Sequence, residues 1–127
     1  MLTYLGLIEN ASLHQQVRWW FTNTFGCTKA TCVADIAEAN SLCINHASIQ
    51  AIITDLPADK SLRDHLREIR AFTQDKKRLR IIVVNTRAER IDVAEGDGEF
   101  LMVSLQRSEK DRWKVLRQNL WCALHAR

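Results

Sequence analysis

The chain has 127 residues, of which 46% are hydrophobic and 26% are charged, and its formal net charge is +3. This composition excludes an intrinsically disordered or fibrous protein, and the length matches one domain over residues 1–127. The apolar stretches are too short to cross a bilayer, and the N-terminus lacks a basic region followed by a long apolar segment. We therefore expect a cytoplasmic protein that makes no contact with membranes.

The first half of the chain alternates between strand and helix patterns. Residues 5–8 predict the first strand, and residues 10–25 a helix with Ser12 and Gln15 in the register of a capping box and Gly26 placed to end it. The alternation predicts that further strands in the chain will each be separated by a helix.

The next elements repeat this order. Residues 30–33 predict the second strand, and residues 35–42 a helix that Asp35 caps, with Glu38 as the capping-box partner. Residues 49–56 form a near-continuous apolar run, which is typical of a parallel strand covered on both faces by helices.

The second half is less regular. Residues 61–72 predict a helix with one apolar face, and residues 81–84 a buried fourth strand. Residues 88–95 are weakly helical, residues 100–103 predict the fifth strand, and residues 108–124 the final helix. Together the pattern predicts an α/β fold, a three-layer doubly wound sandwich around a five-stranded parallel sheet in the flavodoxin-like order 2-1-3-4-5.

The cysteines and histidines show no catalytic or zinc-binding spacing. The cysteines are Cys27, Cys32, Cys43 and Cys122. The histidines are His14, His46, His65 and His125. We predict that the cysteines are buried free thiols and that the histidines lie on the surface.

Polar residues follow three predicted strands where each strand ends. Glu9 and Asn10 follow the first strand, Asp55 lies at the end of the third, and Thr86 follows the fourth. Because an open parallel sheet has its functional crevice at the carboxyl ends of the strands, we expect these residues to lie close together. Glu9 and Asp55 could share one hard cation through their oxygens, and Mg²⁺ suits a site of two carboxylates, a carbonyl and waters.

These residues resemble those of response-regulator receiver domains, and the resemblance covers essentially the whole chain. It is carried by the Glu9-Asn10 pair, by Ile-Thr-Asp-Leu ending at Leu56, and by Val-Val-Asn-Thr ending at Thr86. In that family a histidine kinase or a small phosphodonor supplies a phosphoryl group to an aspartate, with Mg²⁺ bound by an acid pair. The resemblance implies that Asp55 is the phosphoacceptor, Thr86 the switch residue, and Glu9 the remaining acid of the metal pair.

Three departures from the family pattern weaken the expected phosphorylation. Asn10 replaces the second acid, so the resemblance implies a weak Mg²⁺ site formed by Glu9, Asn10 and Asp55, in which an amide oxygen stands in for a carboxylate. Leu-Pro-Ala at residues 56–58 replaces the usual Met-Pro-Gly turn. The lysine expected at the end of the fifth strand is missing, since residues 102–104 are Met-Val-Ser and Lys110 already lies in the predicted final helix. Without that lysine no fixed cation pairs with the phosphoryl oxygens, so we expect phosphorylation of Asp55 to be weak or absent.

The resemblance is strongest to receivers that precede a helix-turn-helix DNA-binding domain. It implies a module that controls a transcription regulator through a homodimer or a heterodimer. DNA would be contacted only through a helix-turn-helix domain that is not present in this chain. Such a domain would have been removed from it or would be supplied by a partner. The final helix, with Arg112 and Trp121 expected on its surface, is the predicted dimer contact. Trp19 lies off the apolar stripe of its helix, so it is either a partly covered surface residue or part of a contact.

An enzyme on the same fold is the alternative, either an aspartate-nucleophile phosphatase or another small flavodoxin-like enzyme. Position 57, two residues after Asp55, is a proline and not the second aspartate that a haloacid-dehalogenase-type phosphatase requires. Residues 10–12 are Asn-Ala-Ser where a flavin-binding protein would have a glycine-rich phosphate loop. We therefore expect that the chain is not an enzyme.

Overall fold

The computed structural model describes residues 2–26, 29–76, 78–85, 90–95, 100–104 and 112–125. Within these ranges the chain forms ten helices and strands. In chain order they are β1 (Tyr4–Leu7), α1 (Ala11–Asn23), β2 (Ala30–Val33), α2 (Ile36–Asn45), β3 (Ala51–Asp55), α3 (Leu62–Ala71), β4 (Arg80–Asn85), β5 (Arg90–Glu95), β6 (Phe100–Ser104) and α4 (Arg112–His125).

The strands form one mixed sheet in the order β2-β1-β3-β4-β5-β6. The pairs β1–β2, β1–β3 and β3–β4 are parallel, whereas β4–β5 and β5–β6 are antiparallel. The predicted α/β class and the predicted order 2-1-3-4 of the first four strands are therefore confirmed, and a fifth strand follows β4 in the sheet. The prediction of an entirely parallel, five-stranded sheet is wrong.

The error lies in residues 88–95, which were expected to be weakly helical. Residues 90–95 form β5 instead, and the predicted fifth strand is β6, the sixth in the chain. Ile91 and Val93 alternate with polar or small neighbours and are buried on one face of the sheet, a period of two that favours a strand over a helix. Only four residues separate β4 from β5, a length that suits a hairpin and not a helical crossover.

Two apolar clusters cover the two faces of the sheet. The cluster on one face contains residues of α1 and α4, and the cluster on the other face contains residues of α2 and α3. Along β4, Ile82 and Val84 belong to the first cluster, while Ile81 and Val83 belong to the second. A strand covered on both sides needs apolar residues at every position, which explains its unbroken apolar run.

Side-chain caps begin three of the helices. Asn10 accepts a hydrogen bond from the Leu13 N–H at 2.9 Å to cap α1, and Asp35 accepts one from the Glu38 N–H at 3.0 Å to cap α2, as predicted. The predicted capping box at Ser12 is wrong, because the Asn10 side chain lies two residues earlier and already binds the first turn. After α1, Gly26 has a φ of 62°, a left-handed conformation that glycine adopts without strain.

The cysteines differ in their burial. Cys43 is buried, Cys32 is half-buried, and Cys122 is exposed, so the prediction of buried thiols is correct for Cys43 and wrong for Cys122. Burial raises the pKa of the Cys32 thiol to about 12, and it raises that of Cys43 as well. Cys27 lies outside the described residues. Among the described helices, none combines the length and the apolar character needed to span a membrane.

The two strands at the start of the sheet approach each other closely at Gly6. Gly6 of β1 pairs with Cys32 of β2, and a Cβ atom at position 6 would lie 2.6 Å from the Cys32 Sγ and 3.3 Å from its Cβ. The first distance is shorter than non-bonded carbon and sulfur atoms tolerate. Glycine at this position therefore leaves the space that the cysteine side chain occupies.

We predict that Gly6→Ala lowers the free energy of unfolding by about 1 to 3 kcal/mol, because the added methyl group overpacks the contact with Cys32. The double variant with Cys32→Ala should recover part of this loss, since the sulfur is removed but the Cβ of residue 32 remains. Urea denaturation of the two single variants and the double variant measures this coupling. Equal losses for Gly6→Ala with and without the sulfur would contradict the explanation.

Candidate functional site

An open cleft of about 310 Å³ lies at the carboxyl ends of the parallel strands β1, β2 and β3. Charged and polar side chains line much of it: Glu9, Asp35, Asp55, Asp59, Lys60 and His65. This is the edge at which ligand sites form in open α/β sheets, because the loops that follow the strands diverge there. The cleft therefore coincides with the place where the sequence predicts a site.

Asp55 is the last residue of β3, and its side chain holds the loop that follows β1. One carboxylate oxygen, Oδ1, accepts a hydrogen bond from the Glu9 N–H at 3.1 Å, and Oδ2 accepts one from the Asn10 N–H at 2.9 Å. Asp55 is only 7% exposed. Because hydrogen bonds to an ionised carboxylate are stronger than neutral ones, this contact fixes the loop against β3.

The structure brings Glu9, Asn10 and Asp55 together, but through the backbone of the first two residues. The Glu9 side chain is exposed and lines the cleft beside Asp55. The Asn10 side-chain oxygen is already an acceptor for the Leu13 N–H in the cap of α1. Among these three side chains, only that of Glu9 takes part in none of the hydrogen bonds described above.

These contacts make the three residues a poor fit to the predicted magnesium site. A magnesium ion needs oxygen ligands in near-octahedral positions, and one lone pair of each of the side-chain oxygens of Asn10 and Asp55 is already directed at a backbone N–H. Within the described ranges, no group of three His, Cys, Asp or Glu side chains is arranged to hold a metal ion. Magnesium binding at these residues stays a prediction.

The predicted switch residue Thr86 lies outside the described residues, as does Lys110. The strand that precedes Thr86 is described up to Asn85, which is buried at the carboxyl end of β4. Val84 of β4 pairs in register with Asp55 of β3, so the end of β4 lies beside the end of β3. The fourth-strand end is thus next to Asp55, as the predicted strand order requires.

His65 is the site residue that the sequence analysis missed. The prediction of a surface histidine is wrong for His65, which is 3% exposed and contacts Thr54 through Nε2 and Oγ1 at 2.8 Å. The Thr54 hydroxyl also lies 3.1 Å from the Asp55 backbone oxygen, to which it donates, so the Thr54 oxygen accepts from the Nε2–H of His65. The helical position was a usable signal, since residue 65 falls on the apolar stripe between Leu62 and Leu66.

The environment of His65 favours its neutral form. Burial lowers the pKa of His65, and the positive charge of Lys60 acts in the same direction. The negative charges of Asp55 and Glu68 oppose these effects but do not reverse them. The Nδ1 atom is buried and has no hydrogen-bond partner among the described residues, which fits a neutral ring with its proton on Nε2.

We predict that Asp55→Ala lowers the free energy of unfolding by about 1 to 3 kcal/mol, because it leaves the N–H groups of Glu9 and Asn10 without their acceptor. Native-state hydrogen exchange should show faster exchange at these two amides. The amide of Leu13, whose acceptor is Asn10, serves as the control and should change less. Unchanged protection at Glu9 and Asn10 would contradict the role assigned to the carboxylate.

We predict that stability falls as the pH is lowered below about 6.5, the usual histidine pKa, because the unfolded chain takes up a proton that folded His65 resists. The contribution of His65 to the free energy of unfolding is fully present above that pH. It decreases as the pH falls toward the lowered pKa of folded His65, with a slope of at most about 1.4 kcal/mol per pH unit. The comparison is between wild type and His65→Gln, which keeps a donor for Thr54. Parallel pH profiles for the two proteins would exclude His65 as the source.

No family model, curated protein or solved structure matches the chain. The assignment of a function to this site therefore depends on its geometry and on the residue pattern at the strand ends. The geometry provides an open cleft whose charged lining is predominantly acidic, and Asp55 in it accepts hydrogen bonds from two backbone donors.

Proposed function

We propose that the chain is a receiver-like signalling module that acts by binding partner proteins, and that Asp55 mainly holds the site together. The observation that carries this proposal is the engagement of both carboxylate oxygens of Asp55 by the N–H groups of Glu9 and Asn10. The strand ends that carry the receiver-like residues are adjacent in the sheet, because β3 lies between β1 and β4.

The contacts of Asp55 argue against efficient phosphorylation. Each oxygen of Asp55 accepts a hydrogen bond from a backbone N–H, and these two donors stabilise the carboxylate and so make it a weaker nucleophile toward a phosphoryl group. The incoming negative charge would also need a cation close by. Lys60 lines the cleft, but its ammonium group forms an ion pair with Glu68 at 2.9 Å, so its charge is already offset.

The antiparallel half of the sheet also argues against a response to phosphorylation. The sequence pattern predicted a weak helix and then a parallel strand after β4, and the chain has β5 antiparallel to β4 at this position. A response to phosphorylation that depended on movement of that helix is therefore not available in this fold. Signalling through binding of a partner needs no such movement, and of the two expected ways to control a transcription regulator it agrees with the heterodimer.

A small hydrolytic enzyme is the second candidate, and the cleft itself favours it. The cleft beside Asp55 is large enough for a small ligand, and Asp59 and His65 also line it. A phosphatase with an aspartate nucleophile needs an acid to protonate the leaving group, and Asp59 is the carboxylate nearest in sequence after Asp55. The engagement of both Asp55 oxygens weighs against this candidate as it does against phosphorylation.

The test is incubation with acetyl phosphate, with and without Mg²⁺, followed by intact mass measurement of wild type and Asp55→Asn. We expect phosphorylation of a small fraction of the wild-type chains at most, and none of the variant. Asp59→Asn is the matched control, because it removes a cleft carboxylate that this proposal does not use. Stoichiometric phosphorylation would make Asp55 an active phosphoacceptor, and continuous release of phosphate over many turnovers would identify an enzyme.

A further inference from the structure

The helices α1 and α4 differ from the rest of the chain in their charge. The chain has 15 acidic residues, and none of them lies in α1 or α4, whereas these helices contain four basic residues. These are Arg18, Arg112, Lys114 and Arg117. On the opposite face of the sheet, α3 alternates acids with arginines. The layer formed by α1 and α4 is therefore positively charged, while the other helical layer is mixed.

The same two helices contain all four tryptophans of the chain, and three of them are exposed. The exposed fractions are 62% for Trp19, 38% for Trp113 and 43% for Trp121. Exposed tryptophan beside arginine or lysine is the chemistry found at the energetic centres of protein interfaces. Exposure of three large aromatic side chains on one layer is more than scattered surface hydrophobicity explains.

One flank of α4 lies along the seam between α1 and α4. Trp113, Arg117 and Trp121 follow each other at intervals of four residues, which places them on one flank of α4. The Trp113 ring lies 6.0 Å from that of Trp20 in α1, and the Trp121 ring lies 5.8 Å from that of Phe25 just after α1. These contacts show that this flank of α4 faces α1.

Trp19 and Arg18 lie on different sides of α1. Both residues are exposed. Trp20, whose ring contacts α4, is one helical step of about 100° from Trp19 and about 200° from Arg18, so Arg18 lies on the side of α1 away from this contact. We use the name seam face for Trp19, Trp113, Lys114, Arg117 and Trp121.

We infer that the seam face binds an acidic amphipathic helix of a partner protein. The inference depends on the proposed role as a partner-binding module. A partner helix with apolar residues at intervals of three and four would match Trp113 and Trp121, which lie about 12 Å apart along α4 at 1.5 Å per residue. Carboxylates beside those residues would pair with Lys114 and Arg117.

The charge of the seam face distinguishes this partner from two others. A symmetric dimer through the seam face would bring Lys114 and Arg117 of both copies into one interface that contains no acidic residue from α1 or α4, and like charges destabilise such a contact. Nucleic acid needs a track of cations along its phosphates, and the seam face offers two. An acidic amphipathic helix would pair its carboxylates with Lys114 and Arg117, and its apolar residues would cover the exposed aromatic rings.

The test uses a synthetic amphipathic peptide with leucines at intervals of three and four and glutamates between them, and a matched peptide with lysine for every glutamate. Fluorescence anisotropy of the labelled peptide should give a micromolar Kd for the acidic version and at least about tenfold weaker binding for the basic one. Because neither peptide contains tryptophan, a blue shift of the protein emission reports burial of the seam face. Equal binding of the two peptides, or no binding of either, would overturn the inference.

Charge variants locate the binding surface without disturbing the core. Arg117→Glu and Lys114→Glu should each weaken binding of the acidic peptide about tenfold. Arg18→Glu makes the same charge change on the other side of α1 and should change the Kd little. Trp19→Ala should also weaken binding, and Ile44→Ala, which removes an exposed apolar side chain from α2, should not. An equal effect of Arg18→Glu would show that only net charge matters and would contradict the inference.

Two further measurements exclude the other partners. Sedimentation should show a monomer, and a short single-stranded oligonucleotide should bind more weakly than the acidic peptide. A dimer that Trp19→Ala dissociates, or tighter binding of the oligonucleotide, would overturn the inference. Peptide binding is measured on protein that has not been phosphorylated, and Asp55 takes no part in it. Failure of this test is therefore separate from the outcome with acetyl phosphate.

Discussion

The hydrogen bonds between the Asp55 carboxylate and the N–H groups of Glu9 and Asn10 are the contact on which the organisation of the cleft depends. They join the end of β3 to the connection between β1 and α1. Asn10 is shared between two contacts, because its N–H binds Asp55 and its side chain caps α1 through the Leu13 N–H. The start of α1 is thus fixed to the centre of the sheet by one residue. The cleft and the seam face, which lie in different parts of the molecule, are both connected to α1.

This arrangement shows a conflict between two uses of one side chain. An aspartate at the end of a central parallel strand is well placed for chemistry, since strand ends are open to ligands. The same position lets its oxygens satisfy backbone donors in the neighbouring loop, and a buried donor without an acceptor is costly. In the role proposed for Asp55, the structural use dominates. The His65–Thr54 contact on the other side of β3 adds to it, because the Thr54 hydroxyl binds the Asp55 backbone oxygen.

The parallel half of the fold could be predicted from the sequence, whereas β5 and its antiparallel pairing with β4 and β6 could not. The apolar runs of β3 and β4 are buried on both faces, so their composition alone indicates the layer arrangement. In β5, the single alternation of Ile91 and Val93 is too short to outweigh the glycines and charges around it. The position of Asp55 was predictable because strand ends converge, but its partners were not. Backbone N–H groups are present at nearly every residue, so they leave no signal in the sequence.

The change from parallel to antiparallel pairing after β4 also affects the order in which the chain folds. The strands β4, β5 and β6 are neighbours in both sequence and space, and each pair closes a loop of four residues. The pair β1–β3 instead joins segments separated by β2 and two helices, with Tyr4 opposite Ala51. Closing a short loop costs less chain entropy than closing a long one, and local contacts form faster. We therefore expect the hairpins of the C-terminal half to form before the parallel strands that build the cleft.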